Sequence, residues 1–137
     1  MRLWHQALIP HLPRAQLLGQ HRECCALRGL GWGKKHATVD YIFEHPISML
    51  EDYHQKVMDE MERRGYEVDI LWCLRGYRGK KVINQEKWIN FIDPVDGKVY
   101  PEHDLGYLVE CLDNLASKGV VLDASYILSK YLDCYAA

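Results

Sequence analysis

An α-amine and a carboxylate are the two groups of this 137-residue chain best suited to act together on a substrate. The chain opens Met1-Arg2-Leu3, and the pair Arg22-Glu23 follows one helix's length behind. An α-amine has a reference pKa of about 7.7 to 8, far below the ~10.4 of lysine, so a useful fraction is an uncharged nucleophile near neutral pH. A cation beside it, such as Arg2 or Arg22, lowers that value further by disfavouring the ammonium. Glu23 works in the opposite sense as a charged neighbour, yet it supplies a group that moves protons and steadies a cationic sugar intermediate. Folded together, the two make a compact site for imine chemistry on a sugar aldehyde, with Met1 as nucleophile and Glu23 as acid/base.

Other chemistries are less well served. Five cysteines, Cys24, Cys25, Cys73, Cys111 and Cys134, form an odd set without a C-x-x-C pair, which fits buried thiols in a reducing compartment rather than a disulfide framework. His21, Cys24, Cys25 and His36 are the tightest metal-like group, but they lack paired ligands at short regular spacing, so no metal is expected. There is no G-x-S-x-G elbow to present a serine. No organic cofactor is called for.

The elements that must position the amine and Glu23 are helical. Pro13 is suited to the first turn of a helix running to about Leu27, with Gly29 as its stop. At about 100° per residue, Leu17, Leu18, His21, Cys24 and Cys25 share one stripe and Glu23 falls away from it. Ala15, Gly19 and Ala26 leave a shallow groove near Glu23. Either the leading residues Met1 to Gln6 lie in that groove, or a second helix packs closely there. Ser48 and Glu51 have capping-box spacing ahead of a second helix, in which Leu50, Tyr53, Val57, Met58 and Met61 recur at helical steps up to Gly65. His54 on its flank reads as structural or exposed. From Val68 to Pro101 the pattern suits loops with one or two short helices. Leu105, Leu108, Val109, Leu112 and Leu115 predict a third helix within 102–117, and Asp123 caps a short last one to about Leu132.

Charge adds a second theme. The net charge is −2, yet residues 1–36 carry six cations against Glu23 alone, giving +5 there and −7 in the remainder. A second basic cluster, Arg75, Arg78, Lys80, Lys81 and Lys87, interrupts the acidic part. If the fold brings both clusters to one face, that face can track phosphates; otherwise both are solvated loops. Trp32 sits in the glycine-rich cationic loop Gly29 to His36, either as a wedge beside a base or as an anchor folding the loop onto the core. No apolar run approaches the ~20 residues of a membrane span, and Pro10, His11 and Pro13 break any signal-peptide pattern, so a cytoplasmic protein without membrane contact is expected.

The opening Met1-Arg2-Leu3, the helix with Leu12, Leu17 and Arg22-Glu23, the Lys35-His36 pair, Arg63-Arg64-Gly65-Tyr66 and Tyr100-Pro101-Glu102-His103 together resemble the endonuclease V family of pyrimidine-dimer DNA glycosylases. The runs MRLWHQALIPHLP and LLGQHRECCALRGLGWGKKH are more similar still to a prokaryotic branch of that family. The resemblance implies an all-α fold: a single compact domain over 1–137, with three main helices, short additional helices and the N-terminal segment threaded between helices. It implies attack by the terminal amine on the sugar of a damaged nucleotide, with Glu23 matching the family's glutamate, Arg22 the arginine before it and Arg2 the arginine near the terminus. The site then comprises Met1 and Glu23 as catalytic residues, with Arg2, Arg22, Arg28, Trp32, Lys34, Lys35 and His36 as DNA contacts. The partner is damaged double-stranded DNA, met by a monomer. A non-catalytic nucleic-acid-binding module of the same fold, or a protein-interaction domain using its acidic half, are the alternatives.

Overall fold

Helix α1 spans Arg14–Arg28, with Pro13 one position earlier than a first-turn residue, as the N-cap. It ends where Gly29 N–H donates to the Cys25 carbonyl (3.0 Å) and Gly31 N–H to that of Ala26 (2.9 Å). A Cβ on Gly31 would lie 2.8 Å from the Ala26 oxygen, so the return of the chain over the helix end requires glycine there. The computed structural model describes residues 2–34, 38–83 and 90–135.

Helix α2, Ile47–Arg63, starts after the N-cap Pro46. The predicted stripe is correct, since Leu50, Tyr53, Val57, Met58 and Met61 are all buried. The expected capping box does not form: Ser48 already lies inside the helix, and Glu51 points inward to accept from Gly76 N–H (2.8 Å) and Arg75 Nη1 (3.1 Å). Helix α3, Leu105–Ser117, begins with the first residue of the apolar pattern, because Asp104 is the cap and accepts from Tyr107 N–H at 2.9 Å. Helix α4, Ala124–Tyr135, follows Asp123, whose carboxylate accepts from Tyr126 N–H at 3.1 Å. Short 3-10 turns occupy Gln6–His11, Asp40–Glu44 and Ile70–Cys73. The fold is all-α. Among the described residues the nearest approach to a sheet is one isolated antiparallel bridge, Leu74 with Phe91.

The N-terminal segment threads between the helices. Leu3, Leu8 and Leu12 are shielded from water and join the core with α1, α2, α3 and α4 residues such as Leu17, Tyr53, Leu108 and Tyr131. Burying a leucine is worth roughly 1.5–3 kcal/mol, so these three commit the segment to the interior. A buried strand-like segment still needs partners for its peptide groups. Gln20 and Tyr53 supply them: Trp4 N–H donates to Gln20 Oε1 (2.7 Å), Gln20 Nε2 to the Arg2 carbonyl (3.2 Å) and Tyr53 OH to the Trp4 carbonyl (2.6 Å). Tyr107 OH donates to the Leu3 carbonyl, and Gln6 N–H to His103 Nδ1 at 3.2 Å. The α1 stripe that faces the core is therefore Leu17, Gln20, Cys24, Leu27 and Arg28 rather than the more apolar set read from the sequence.

Candidate active site and nucleic-acid interface

Gln20 and Glu23 stand three residues apart on α1, a spacing that places side chains side by side. Because Gln20 holds the peptide groups of Arg2 and Trp4, Glu23 lies one turn further along, beside the start of the chain. Arg2, Trp4, Gly19, Gln20, Glu23 and Lys118 line one cleft of about 180 Å³. Glu23 is half-buried, with its Oε1 out of contact with solvent. Met1 itself lies outside the described residues, as do Lys35 and His36.

The arginines expected to bind DNA have different fates. Arg22 is exposed, and its Nη2 lies 3.8 Å from where a side chain on Gly19, a residue lining the cleft, would begin. Arg2 is held over the Trp4 and Tyr107 rings (5.9 and 6.0 Å) and pairs with Glu110 at 3.6 Å. That pair is open to solvent on the Glu110 side, so exchanging it for a phosphate costs at most about 1 kcal/mol. Arg28 is not on the surface. It is fully buried, donating to the carbonyls of Trp72 (2.7 Å), Leu74 (3.2 Å) and Tyr77 (2.9 Å) with Glu51 at 3.9 Å, so the structure removes it from the proposed phosphate track. The physical reason is that its position at the end of α1 meets the Ile70–Cys73 turn and the loop after it, whose carbonyls need a donor. Trp32 is half-buried, packed edge-on against Phe43 at 5.1 Å, which is the core-anchor alternative. Lys34 is exposed.

Sequence reading missed a larger cleft on the other side of Glu23. It measures about 630 Å³ and is lined by Glu23, Cys25, Leu30, Lys34, Trp72, Tyr77 and the turn Arg78 to Lys81 among others. The signal was the second basic cluster, which the fold partly brings to the first. Arg75 does not join this face, being paired with Glu51 (3.1 Å) and Asp52 (3.0 Å), and Lys87 lies outside the described residues.

Of the metal-like group, Cys24 is buried in the core, while His21 and Cys25 meet His54 with potential ligand atoms within 4.8 Å of one another. Hydrogen placement there opposes a metal. Arginine only donates, so Arg28 Nη1 at 3.0 Å makes His54 Nδ1 the acceptor. The neutral ring then carries its proton on Nε2 and donates to His21 Nδ1 at 2.8 Å. Burial, then the charge of Arg28, keep His54 well below its ordinary pKa, and burial pushes the Cys25 thiol up to about 11. A metal at His54 Nε2 would force a proton between Nδ1 and the guanidinium, and would add charge beside a buried cation. The trio is a hydrogen-bonded bridge between α1 and α2, and Cys25 is no thiolate nucleophile.

Among the described residues no helix is long and apolar enough to cross a membrane. No curated protein and no solved structure matches the chain. A family model for pyrimidine dimer DNA glycosylases matches residues 1–74, which takes in the N-terminal segment, α1 with Arg22-Glu23, and α2. With more than half its length in that match, the chain belongs to the pyrimidine dimer DNA glycosylase family.

Proposed function

We propose that the protein is a DNA repair glycosylase with associated abasic-site lyase activity, acting as a monomeric single domain on pyrimidine dimers or related lesions in double-stranded DNA. The observation that carries this reading is the Gln20 clamp, which ties the peptides of Arg2 and Trp4 to the face of α1 that bears Glu23 one turn on.

The uncharged α-amine of Met1 attacks the anomeric carbon of the damaged nucleotide's sugar. The glycosidic bond breaks, its electron pair leaves with the base, and the base takes up a proton. Loss of the amine proton and opening of the ring give an imine. Removal of the proton next to it then drives β-elimination of the 3′ phosphate oxygen and breaks the strand. Glu23 accepts and returns these protons and stabilises the cationic sugar. Arg22, and Arg2 once released from Glu110, hold the flanking phosphates. Lys34 extends the track. No metal or organic cofactor takes part in these steps.

Borohydride trapping tests the reading. Untagged protein incubated with abasic-site duplex and reduced should form a covalent adduct through its terminal residue. Glu23→Gln should lower the trapping rate by roughly 10²-fold or more, while Lys130→Ala on α4 should not. Persistence of the adduct when the α-amine is blocked by acetylation would place the nucleophile elsewhere and overturn the assignment.

A further inference from the structure

The turn that follows the family-matched segment is fastened to the end of α1 by two arginines that exchange partners. Arg28, from the helix, donates to the Trp72, Leu74 and Tyr77 carbonyls. Arg78, from the turn, donates from Nε to the Arg28 carbonyl (2.8 Å) and from Nη2 to that of Gly29 (3.1 Å). The helix's last carbonyls and the turn's carbonyls are thus satisfied by each other's guanidinium. Gly79 completes the fit. Its φ is +89°, and a Cβ there would meet the Trp72 ring at 3.3 Å. Beyond this anchored base, Lys80 and Lys81 are exposed, and Lys34 rims the same cleft from the α1 side. Among the described residues, none of these three lysines lies within ion-pair distance of a carboxylate.

We infer that Lys80 and Lys81, facing Lys34 across the cleft beside Glu23, form a second grip on the sugar-phosphate backbone of the DNA strand, in a part of the chain that the family match does not reach. The inference rests on DNA being the substrate. Charge complementarity selects this partner: four cations (Lys34, Arg78, Lys80, Lys81) and two carboxylates (Glu23, Asp69) border a cleft that opens directly from the acid/base residue. Ammonium heads on flexible stems bind phosphate as point charges and need no fixed geometry, whereas the turn that carries them does need a fixed place. The arginine exchange gives it one.

The test is binding of a fluorescent abasic-site duplex, measured by anisotropy over a range of salt concentrations. Removing two phosphate contacts in a Lys80→Ala/Lys81→Ala double variant should reduce the slope of log K against log salt by about 2 and weaken binding roughly tenfold or more at low salt. A Lys80→Arg/Lys81→Arg variant should restore both, and Lys130→Ala should leave the slope unchanged. Circular dichroism melting establishes that each variant is folded. A double variant with the parent's slope, beside a parent that binds and forms the borohydride adduct, overturns this inference alone. A parent that neither binds nor forms an adduct overturns the proposed function along with it.

Discussion

The N-terminal segment and the turn Arg75 to Lys81 are both held by side chains that satisfy backbone groups, but they are held to opposite ends. In the first, every anchor grips the backbone near the chain start: Gln20, Tyr53 and Tyr107 hold residues 2 to 4, and the leucines beyond them are buried. In the second, Arg28 and Arg78 fix the base while the lysines extend into solvent. On the proposed function, the difference separates two tasks. A reacting nitrogen must be placed to within a fraction of an ångström, which only a packed and fully bonded segment achieves. A phosphate grip needs charge only in roughly the right place, so exposed tips on an anchored root suffice.

Substitutions should affect the two regions in different currencies. The largest loss of stability is expected for Arg28→Ala, which strands three carbonyls and leaves Glu51 with less compensating charge; breaking a buried ion network of this kind costs about 3–5 kcal/mol. Urea denaturation measures it, and a loss below about 1 kcal/mol would mean that Arg28 does not fasten the turn.

Acid should act on the N-terminal side as well as at His54, whose burial beside Arg28 also holds it well below its ordinary pKa. Burial, reinforced by Lys98, pushes His5 down to about 4, and burial, with His5 and Lys98, takes His103 to about 3. Their unfolded values are near 6.5, so between the two the unfolded chain binds more protons. The stability these rings contribute is therefore complete above about pH 6.5 and falls as pH drops toward 4. The expected loss is on the order of 1–2 kcal/mol per ring at pH 5, read as a lower urea midpoint than at pH 7.5. A midpoint that does not move over that interval would place the rings in water.

Gln20→Ala should cost about 1–3 kcal/mol, since it leaves the Trp4 N–H and the Arg2 carbonyl without their partner. It should also depress borohydride trapping by more than its stability loss explains at temperatures where the variant is fully folded. Trapping at the parent rate would show that Glu23 and the amine meet without the clamp. The smallest effect on stability belongs to the Lys80→Ala/Lys81→Ala variant, within about 0.5 kcal/mol of the parent in the same denaturation assay. A larger shift would make the lysines part of the fold rather than part of the grip.

Much of this was legible beforehand. Helix α2 was readable because one face is consistently apolar, and buried apolar area is a local property of the residue types. The start and stop of α1 were readable from Pro13 and Gly29, whose backbone restrictions do not depend on distant partners. The resemblance pointed to Glu23 and Arg22 over the segment that the family match covers. The polar interior was not legible. Gln20 carried no signal, Arg28 read as a DNA contact and Ser48 with Glu51 as a cap, because the energy of a buried polar group depends on whether its partner arrives, and the partners lie 16 to 49 positions away.

The sequence by itself therefore determined where the helices run and which family the chain belongs to, since periodicity and residue type are written locally. Only the tertiary structure decided that Gln20 clamps the leading peptides beside Glu23, that Arg28 is spent on carbonyls, and that Lys34 faces Lys80 and Lys81 across one cleft. Those outcomes depend on hydrogen bonds and charges between distant segments, whose free energy exists only once folding has removed water from between them.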